Sequence, residues 1–337
     1  METKAPGVIK LFGEHAVVYG RQSMALAVSR YATCSSEIAG KNSLRLVLRD
    51  LDGAAFELKE DELCGMYAKY KESALSAYSK SAGIPTDFIP FVTIASRLMC
   101  EHGISALGKR VVVSSEIPVR SGMSSSASCF TAFACLLANG HQLSDSQLID
   151  LARDGERVAH ANAGAGSIDV STAFYGGYVT FSSGSGARRE RIASSPGLII
   201  VNTGPKLSTA ETVGRVARLR ETNPQFADRV FEEINDCAIK GRAALEKGDL
   251  NIVGSYMFRN HELLRGLGVS NDRLDRVVSL SKASGALGAK LSGGGGGGIA
   301  VVLAKKDEAE RLALTFIKNG FDAFIVHPSM TGASGSK

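Results

Sequence analysis

The feature that most constrains this chain of 337 residues is a run of six consecutive glycines, Gly293 to Gly298, directly before the apolar segment Ile299–Leu303. Six glycines cannot form a helix or a strand without a large loss of conformational entropy. A flexible linker is the alternative, but a linker does not normally lie between Lys290-Leu291 and a buried strand. Because consecutive free N–H groups form a nest for anions, we interpret the run as an anion-binding loop.

Composition and charge exclude several classes of protein. Hydrophobic residues are 44% of the chain and charged residues 22%, which is the balance of a folded protein. The net charge of +5 is mild, and the one basic cluster, at residues 188–191, is typical of a solvated loop, so no nucleic-acid partner is expected. No apolar run approaches the ~18 residues that span a bilayer, and the N-terminus lacks the apolar region of a secretory signal. Six scattered cysteines without a C-x-x-C motif are typical of reduced thiols. We therefore expect a cytoplasmic chain with no membrane partner.

Strand-like and helix-like patterns are mixed without regular alternation, which favours an α+β fold over a doubly wound sheet. Apolar runs rich in β-branched residues predict strands at Val8–Phe12, Leu44–Leu48, Arg110–Val113, Tyr178–Phe181, Leu198–Val201, Ile299–Leu303 and Phe324–Val326. Apolar periodicity predicts helices at Ser126–Ala138, Ser146–His160, Phe226–Lys247 and Arg311–Lys318. A chain of this length usually forms two domains. Since Ser182–Arg188 has the composition of a linker, we expect domains over residues 1–184 and 185–337.

A second anion-binding segment is predicted between Ile117 and Ser128. Gly122 and the serines Ser124 to Ser126 stand there at the start of an apolar helix. Free N–H groups and the positive end of the helix dipole bind anions at such a point, and the hydroxyls can reach a phosphate-bound Mg²⁺. A serine-rich cap without a ligand is the alternative. The segment is not a Walker A loop, because the G-K-[ST] ending is missing.

Four ionisable residues complete the candidate site. Glu14 and His15 follow a short strand, where rigid placement suits a binding site, although a surface pair is the common interpretation of two such residues alone. Glu156 lies on a predicted helix that leads into a loop of small residues ending at Asp169. Asp169 can serve as a general base and Glu156 can hold a metal; alternatively, Asp169 caps a helix over Val170–Tyr175. Two anion-binding loops and two carboxylates together indicate phosphoryl transfer from a nucleotide.

These stretches resemble, in the same order, the motifs of the GHMP kinase superfamily, and the resemblance covers residues 5–304. The segments at residues 11–20, 155–160, 260–270 and 288–292 are similar to the branch that phosphorylates mevalonate in the pathway to isoprenoids. The resemblance implies an N-terminal domain like domain 2 of ribosomal protein S5 and a C-terminal ferredoxin-like domain, with ATP and mevalonate bound in the cleft between them. Phosphomevalonate or another small-molecule substrate stays open, as does a non-catalytic sensor of ATP or a metabolite. A homodimer is one alternative for its assembly.

The resemblance also implies a role for individual residues. Asp169 corresponds to the catalytic aspartate, and Ser126 and Glu156 correspond to ligands of Mg²⁺. The residues implied to bind ATP and its phosphates are Pro118, Arg120, Ser121, Gly122, Met123, Ser124, Ser125, Ser126, Ala127, Gly295 and Gly296. The residues implied to line the substrate site are Glu14, His15, Asp169, Thr209 and Gly294.

The chain departs from the superfamily pattern at the first motif. The usual lysine after Ala-Pro-Gly is replaced by Val8, and a lysine follows at Lys10. Positions 8 and 10 point to the same face of a strand, about 6.6 Å apart. We therefore expect Lys10 to be catalytic and to carry the charge beside Asp169, with a solvent-exposed Lys10 as the alternative. Ser124 also replaces a common glycine, and Arg120 and Lys206 are the basic residues that could meet a substrate phosphate.

Overall fold

The computed structural model describes residues 1–40, 42–80, 83–118, 122–162 and 164–333, which form two β-sheets covered by helices. The strands of the first sheet are β1 (Glu2–Phe12), β2 (Ser23–Ile38), β3 (Ser43–Leu48), β4 (Ala54–Lys59), β5 (Lys109–Ser115), β6 (Tyr178–Ser182) and β7 (Gly186–Glu190). The strands of the second are β8 (Gly197–Asn202), β9 (Gly288–Ser292), β10 (Ile299–Ala304) and β11 (Asp322–Val326). The helices are α1 (Glu60–Glu72), α2 (Leu75–Tyr78), α3 (Ile89–His102), α4 (Ser125–Leu137), α5 (Asp145–His160), α6 (Ser167–Tyr175), α7 (Thr209–Thr222), α8 (Pro224–Glu246), α9 (Leu250–Gly266), α10 (Asp272–Ala283) and α11 (Ala309–Lys318).

The first sheet has the strand order β4-β3-β5-β2-β6-β7, and β1 pairs with β2 along its length. Strands β3 and β5 are parallel, and the other neighbours are antiparallel. Helix α4 is buried almost all round, with Ala132 and Phe133 fully inaccessible, because it packs between the sheet and helices α3, α5 and α6. This burial fits its nearly continuous apolar sequence.

The second sheet is antiparallel with the order β11-β8-β10-β9. Numbered within the sheet, this is the fourth-first-third-second order of a ferredoxin-like fold. Strand β10 lies in the interior of the sheet, and all six of its residues are buried, which explains its uninterrupted apolar sequence. The α+β class and the two-part fold expected from the sequence are therefore confirmed.

Strand β1 lies between the two hydrophobic cores and so determines where the site is built. Ile9 and Leu11 pack with the second sheet and its helices, whereas Val8 packs with the first core. Because side chains alternate along a strand, Lys10 shares the face of Val8. The strand therefore presents Lys10 on the face of the first core, at the end where β1 stops at Phe12.

Each predicted strand lies within an observed one, and the predicted helices match α4, α5, α8 and α11 to within two residues at each end. Strand β2 is not predicted, because the polar residues Ser29, Arg30 and Ser35 interrupt its apolar pattern. These residues lie where one face of the strand is only half-buried.

The interpretation of Ser182–Arg188 as a linker is wrong. This segment forms the turn of the β6–β7 hairpin, in which Ser182 pairs with Gly186, so the first sheet continues to Glu190. The chain reaches the second sheet at Gly197. The division into domains at residues 184/185 stays a prediction. All six cysteines are free thiols, and no helix in the described ranges is both long and apolar enough to span a membrane.

Candidate active site

Asp169 is the centre of the site. It lies in the first turn of α6, which begins at Ser167 after Gly166, so the alternative that Asp169 caps this helix is wrong. Its Oδ2 lies 3.1 Å from Nζ of Lys10, and its Oδ1 accepts a hydrogen bond of 2.6 Å from Oγ of Ser124. The side chains of Lys10 and Asp169 are 24% and 13% exposed, so the pair is shielded but still open to a small ligand.

The two charges of this pair stabilise each other. Burial alone would raise the pKa of Asp169, but the Lys10 ammonium and the Ser124 hydroxyl outweigh it and hold the pKa below its ordinary value. Burial also disfavours the charged form of Lys10, yet Asp169, with smaller contributions from Glu14 and Glu156, raises its pKa above the ordinary value. Both groups are therefore charged at neutral pH. Lys10 is paired with Asp169, so the alternative of a solvent-exposed Lys10 is wrong. The catalytic role of Lys10 stays a prediction.

Backbone contacts fix the positions of Lys10 and of the segment from Gly122 to Ser126, which we call the serine segment. The N–H of Lys10 donates a 2.9 Å hydrogen bond to Oγ of Ser292 on β9. The N–H of Val8 donates to the carbonyl oxygen of Met123 at 3.0 Å. Strand β1 thus joins the serine segment to the second sheet. Met123 and Ala127 are fully buried and support the segment from below, whereas Pro118 is half-buried.

The serine segment turns through two left-handed residues before α4 begins at Ser125. Gly122 has φ +93° and Ser124 has φ +55°. A serine is strained there relative to a glycine, but its hydroxyl gains the hydrogen bond to Asp169. Ser125 and Ser126 occupy the first turn of α4, where N–H groups are free for an anion. Arg120 and Ser121 lie outside the described residues.

The glycine run is a packed loop, so the alternative of a flexible linker is wrong. Gly296 donates its N–H to the carbonyl oxygen of Val269 at 2.8 Å and accepts from the N–H of Leu207 at 3.2 Å. Gly295 has φ +79°, and a Cβ on it would lie 2.1 Å from the oxygen of Val269. Only glycine fits such a position. A Cβ on Gly294 would lie 3.6 Å from Oγ1 of Thr209, so these two predicted substrate residues are neighbours.

Glu14 and His15 are buried, with exposures of 3% and 6%, so their interpretation as a surface pair is wrong. Nε2 of His15 lies 2.9 Å from the carbonyl oxygen of Gly294. Burial lowers the pKa of His15 to about 4, since the hydrogen bond to Gly294 does not offset it, and the imidazole is neutral at pH 7. The Glu14 carboxylate forms an ion pair with Nζ of Lys290, which the sequence analysis did not identify.

Glu156 has the free oxygen that a cation would need. Its Oε1 is buried without a hydrogen-bond partner, and its Oε2 lies 3.5 Å from Nε2 of His160. This contact with Glu156 is the main reason that the pKa of His160 is raised. The described residues contain no group of three or more His, Cys, Asp or Glu side chains that could cage a metal. The partnerless carboxylate oxygen of Glu156 is the kind of ligand that Mg²⁺ takes, with water and substrate phosphates as its usual other ligands.

Lys206 is a further cation beside these carboxylates. It lies between β8 and α7, where its Cα would be 2.9 Å from a Cβ on Gly297. Burial lowers its pKa, and Lys10 lowers it further, while Asp169 and Glu156 act in the opposite direction. Its side chain is half-buried and has no ion pair with any described residue. A cation in this position is available to an anionic ligand.

The chain is similar to known proteins over nearly its whole length. The N-terminal domain of the GHMP kinases matches residues 90–177 and the C-terminal domain matches residues 242–322. The mevalonate kinase of Thermococcus gammatolerans is 31% identical over 94% of this chain and 92% of its own. That of Aeropyrum pernix is 27% identical over 98% and 96%. The crystal structure of Methanococcus jannaschii mevalonate kinase is 26% identical, with a TM-score of 0.81 over 97% and 98%.

The fold and the matched domains define the class of protein: the chain belongs to the GHMP kinase superfamily. Within that superfamily its family is that of the mevalonate kinases.

Proposed function

We propose that the chain transfers the γ-phosphoryl group of ATP to the C5 hydroxyl of (R)-mevalonate, giving 5-phosphomevalonate and ADP on the pathway to isoprenoids. The observation that carries the proposal is the ionised Asp169 carboxylate, which is held between Lys10 and Ser124. Membership in a family of mevalonate kinases supports the choice of substrate.

In the proposed reaction the C5 oxygen forms a bond to the γ-phosphorus while the bond from that phosphorus to the β–γ bridging oxygen breaks. ADP leaves with the electron pair, and the hydroxyl proton passes to Asp169 and then to solvent. The lowered pKa of Asp169 makes it a weak base, because Lys10 stabilises its charge against the cost of burial. This suits phosphoryl transfer, in which positioning and charge stabilisation contribute more than proton removal. Asp169 therefore acts chiefly by orienting the hydroxyl.

The remaining charges compensate those of the phosphates. The Lys10 ammonium keeps Asp169 ionised and stabilises negative charge on the attacking oxygen. Free N–H groups in the first turn of α4 and in the glycine loop bind phosphate oxygens. Lys206, which has no carboxylate partner among the described residues, neutralises part of the remaining negative charge.

Mg²⁺ fits beside Ser126 and Glu156, since Glu156 offers a buried oxygen without a partner. When bound, the ion would neutralise charge on the β- and γ-phosphates. The substrate binds on the other side of Asp169, against Glu14, His15 and Thr209. Every group named here comes from one chain.

The free cysteines suit a reducing compartment such as the cytoplasm.

The test is the turnover of Asp169→Asn with ATP, Mg²⁺ and mevalonate. Loss of the ionised carboxylate should lower kcat on the order of 10²–10⁴-fold. Asp236→Asn is the matched control, because Asp236 is an exposed aspartate that is also paired with a lysine; its kcat should equal that of the wild type. Near wild-type turnover by Asp169→Asn would contradict the role of Asp169. Tight ATP binding by the wild type without ADP release on any alcohol would instead favour a sensor.

A further inference from the structure

Lys290 is the most deeply buried charge in the described part of the chain. It lies on β9, its side chain has 0% exposure, and its Nζ contacts both the Glu14 carboxylate and the carbonyl oxygen of Leu291, the latter at 2.7 Å. Lysines are almost never fully buried unless they are paired. A buried ion pair also contributes little net stability compared with apolar residues of similar volume. Stability alone therefore does not explain why this lysine stands in the core.

The surroundings hold Glu14 and Lys290 in fixed positions. The N–H of Gly13 donates to Oδ1 of Asn260 on α9 at 3.4 Å, which anchors the segment that carries Glu14. The N–H of Leu291 donates to Nδ1 of His261 at 3.3 Å, which anchors the strand that carries Lys290. The backbone next to each partner of the ion pair is thus attached to helix α9, which fixes the points from which the two side chains extend.

One carboxylate oxygen of Glu14 has no hydrogen-bond partner. Its Oε1 is bound to Lys290, while its Oε2 is buried without a hydrogen-bond partner. A buried carboxylate oxygen without a donor is unfavourable, so it indicates a site where a ligand donor completes the arrangement. The neutral His15 follows Glu14 directly and contacts the glycine loop. Both residues are predicted to line the substrate side of the site.

Lys290 also affects Lys10. Glu14 lies close enough to Lys10 for its charge to act on the ammonium, which leaves Glu14 between two lysines. The charges alternate in the order Lys290, Glu14, Lys10 and Asp169. If Lys290 were absent, the uncompensated Glu14 would attract Lys10 away from Asp169, because both carboxylates would compete for one cation.

We propose that Lys290 is a positioning residue for the substrate alcohol. It binds one oxygen of Glu14 from the core side, so that the other oxygen accepts a hydrogen bond from a substrate hydroxyl and Lys10 stays with Asp169. This inference rests on the proposed function, since the alcohol that Glu14 meets is taken to be mevalonate.

The experiment compares Lys290→Met with Lys290→Arg, Glu14→Gln and the double variant Glu14→Gln/Lys290→Met. Lys282→Met is the matched control, because Lys282 forms an exposed ion pair with Glu262. The wild type is first assayed on a panel of alcohols, so failure on mevalonate refutes the proposed substrate alone. The variants are then assayed on the alcohol that the wild type phosphorylates.

We expect the substitution to affect the kinetics of the alcohol much more than those of ATP. Lys290→Met should lower kcat/KM for the alcohol roughly 10- to 100-fold, with the KM for ATP changed less than about twofold. Lys290→Arg, which keeps the charge, should recover most of the loss. In the Glu14→Gln background, Lys290→Met should cost less than about threefold, because its effect passes through Glu14.

Two results would overturn the proposal. One is an equal loss from Lys290→Met in the wild-type and Glu14→Gln backgrounds. The other is a rise in the KM for ATP that matches the loss on the alcohol, since a merely structural role would affect both substrates. If Lys290→Met does not fold, the double variant Glu14→Gln/Lys290→Met, which removes both buried charges, is compared with Glu14→Gln. A loss of kcat/KM for the alcohol of more than about threefold between these two variants would overturn the proposal.

Discussion

The two halves of the molecule contribute to the site in different ways. The half built on the first sheet supplies ionisable side chains at the ends of strands and helices: Lys10, Glu14, Glu156 and Asp169. The half built on the second sheet supplies the backbone loop at residues 293–298, with the side chains of Lys206, Thr209 and Lys290 around it. Side-chain chemistry depends on residue type, whereas the backbone loop depends on the absence of a Cβ. Substitutions in the first half should therefore lower kcat, and those in the second should weaken binding.

After Asp169→Asn, the largest effect is expected at Lys10. Lys10→Met removes the cation beside Asp169 and should lower kcat on the order of 10²–10³-fold. With Lys10 present, the pKa of Asp169 lies below its ordinary value because the ammonium and Ser124 outweigh burial. Without it the pKa rises, so the acidic limb of the pH profile of kcat should move to higher pH.

Lys4→Met is the control for this substitution, since Lys4 is on the same strand but exposed, with Glu2 as its partner. Steady-state kinetics across a pH series should show the wild-type profile for this control. If Lys10→Met had a normal kcat, or an acidic limb at lower pH, Lys10 would not be the cation that serves Asp169.

A smaller effect is expected in the glycine loop. Gly295→Ala should lower the free energy of unfolding by about 3 kcal/mol and raise the KM for ATP or mevalonate about tenfold, because its Cβ meets the Val269 oxygen. Gly320→Ala separates the steric contact from the backbone strain. Gly320 has a similar φ of +81°, but a Cβ on it would have nothing within 4 Å. That control should lose about 1 kcal/mol from backbone strain and keep its kinetics. Equal losses in denaturant titrations would mean that the loop is not tightly packed.

The smallest effect is expected at Ser124, where the serine hydroxyl holds Asp169. Ser124→Ala and Ser124→Gly should each lower kcat roughly 3- to 10-fold, because both lose this hydrogen bond to a charged group. Ser124→Gly should be more stable than Ser124→Ala by about 1 kcal/mol, because a glycine adopts the φ of +55° without strain. Thermal unfolding and kcat measured together separate these effects. Equal stability of the two variants would contradict the strained conformation.

Much of the fold could be predicted from the sequence, because its elements have clear local patterns. Helix α4 is nearly continuous in apolar residues and β10 is an uninterrupted apolar run, and both lie where they were expected. Strand β2 was missed because its sequence does not alternate regularly between apolar and polar residues. The burial of its 16 residues is determined instead by the neighbouring strands β1 and β5. The Ser182–Arg188 turn was mistaken for a linker, because a hairpin turn and a linker have the same composition.

The site was predicted less completely, because its partners are distant in sequence. Lys10 was placed beside Asp169 from the superfamily resemblance together with the strand period, which puts Lys10 on the face of Val8, and the contact is present. The burial of Glu14 could not be derived from its neighbours, since its partner Lys290 lies 276 residues away. A lysine within a run of buried residues just before the glycine loop was the available signal, because a charge in such a place needs a partner.

The measurement that tests the account most directly is a substrate panel for the wild-type protein with ATP and Mg²⁺, using ADP release and phosphorus NMR of the product. The alcohols compared are (R)-mevalonate, 5-phosphomevalonate, galactose and homoserine. We expect (R)-mevalonate to have the highest kcat/KM by about 100-fold and the new phosphate to be on the C5 oxygen. A preference for phosphomevalonate or for another alcohol, or no ADP release with any of them, would contradict it.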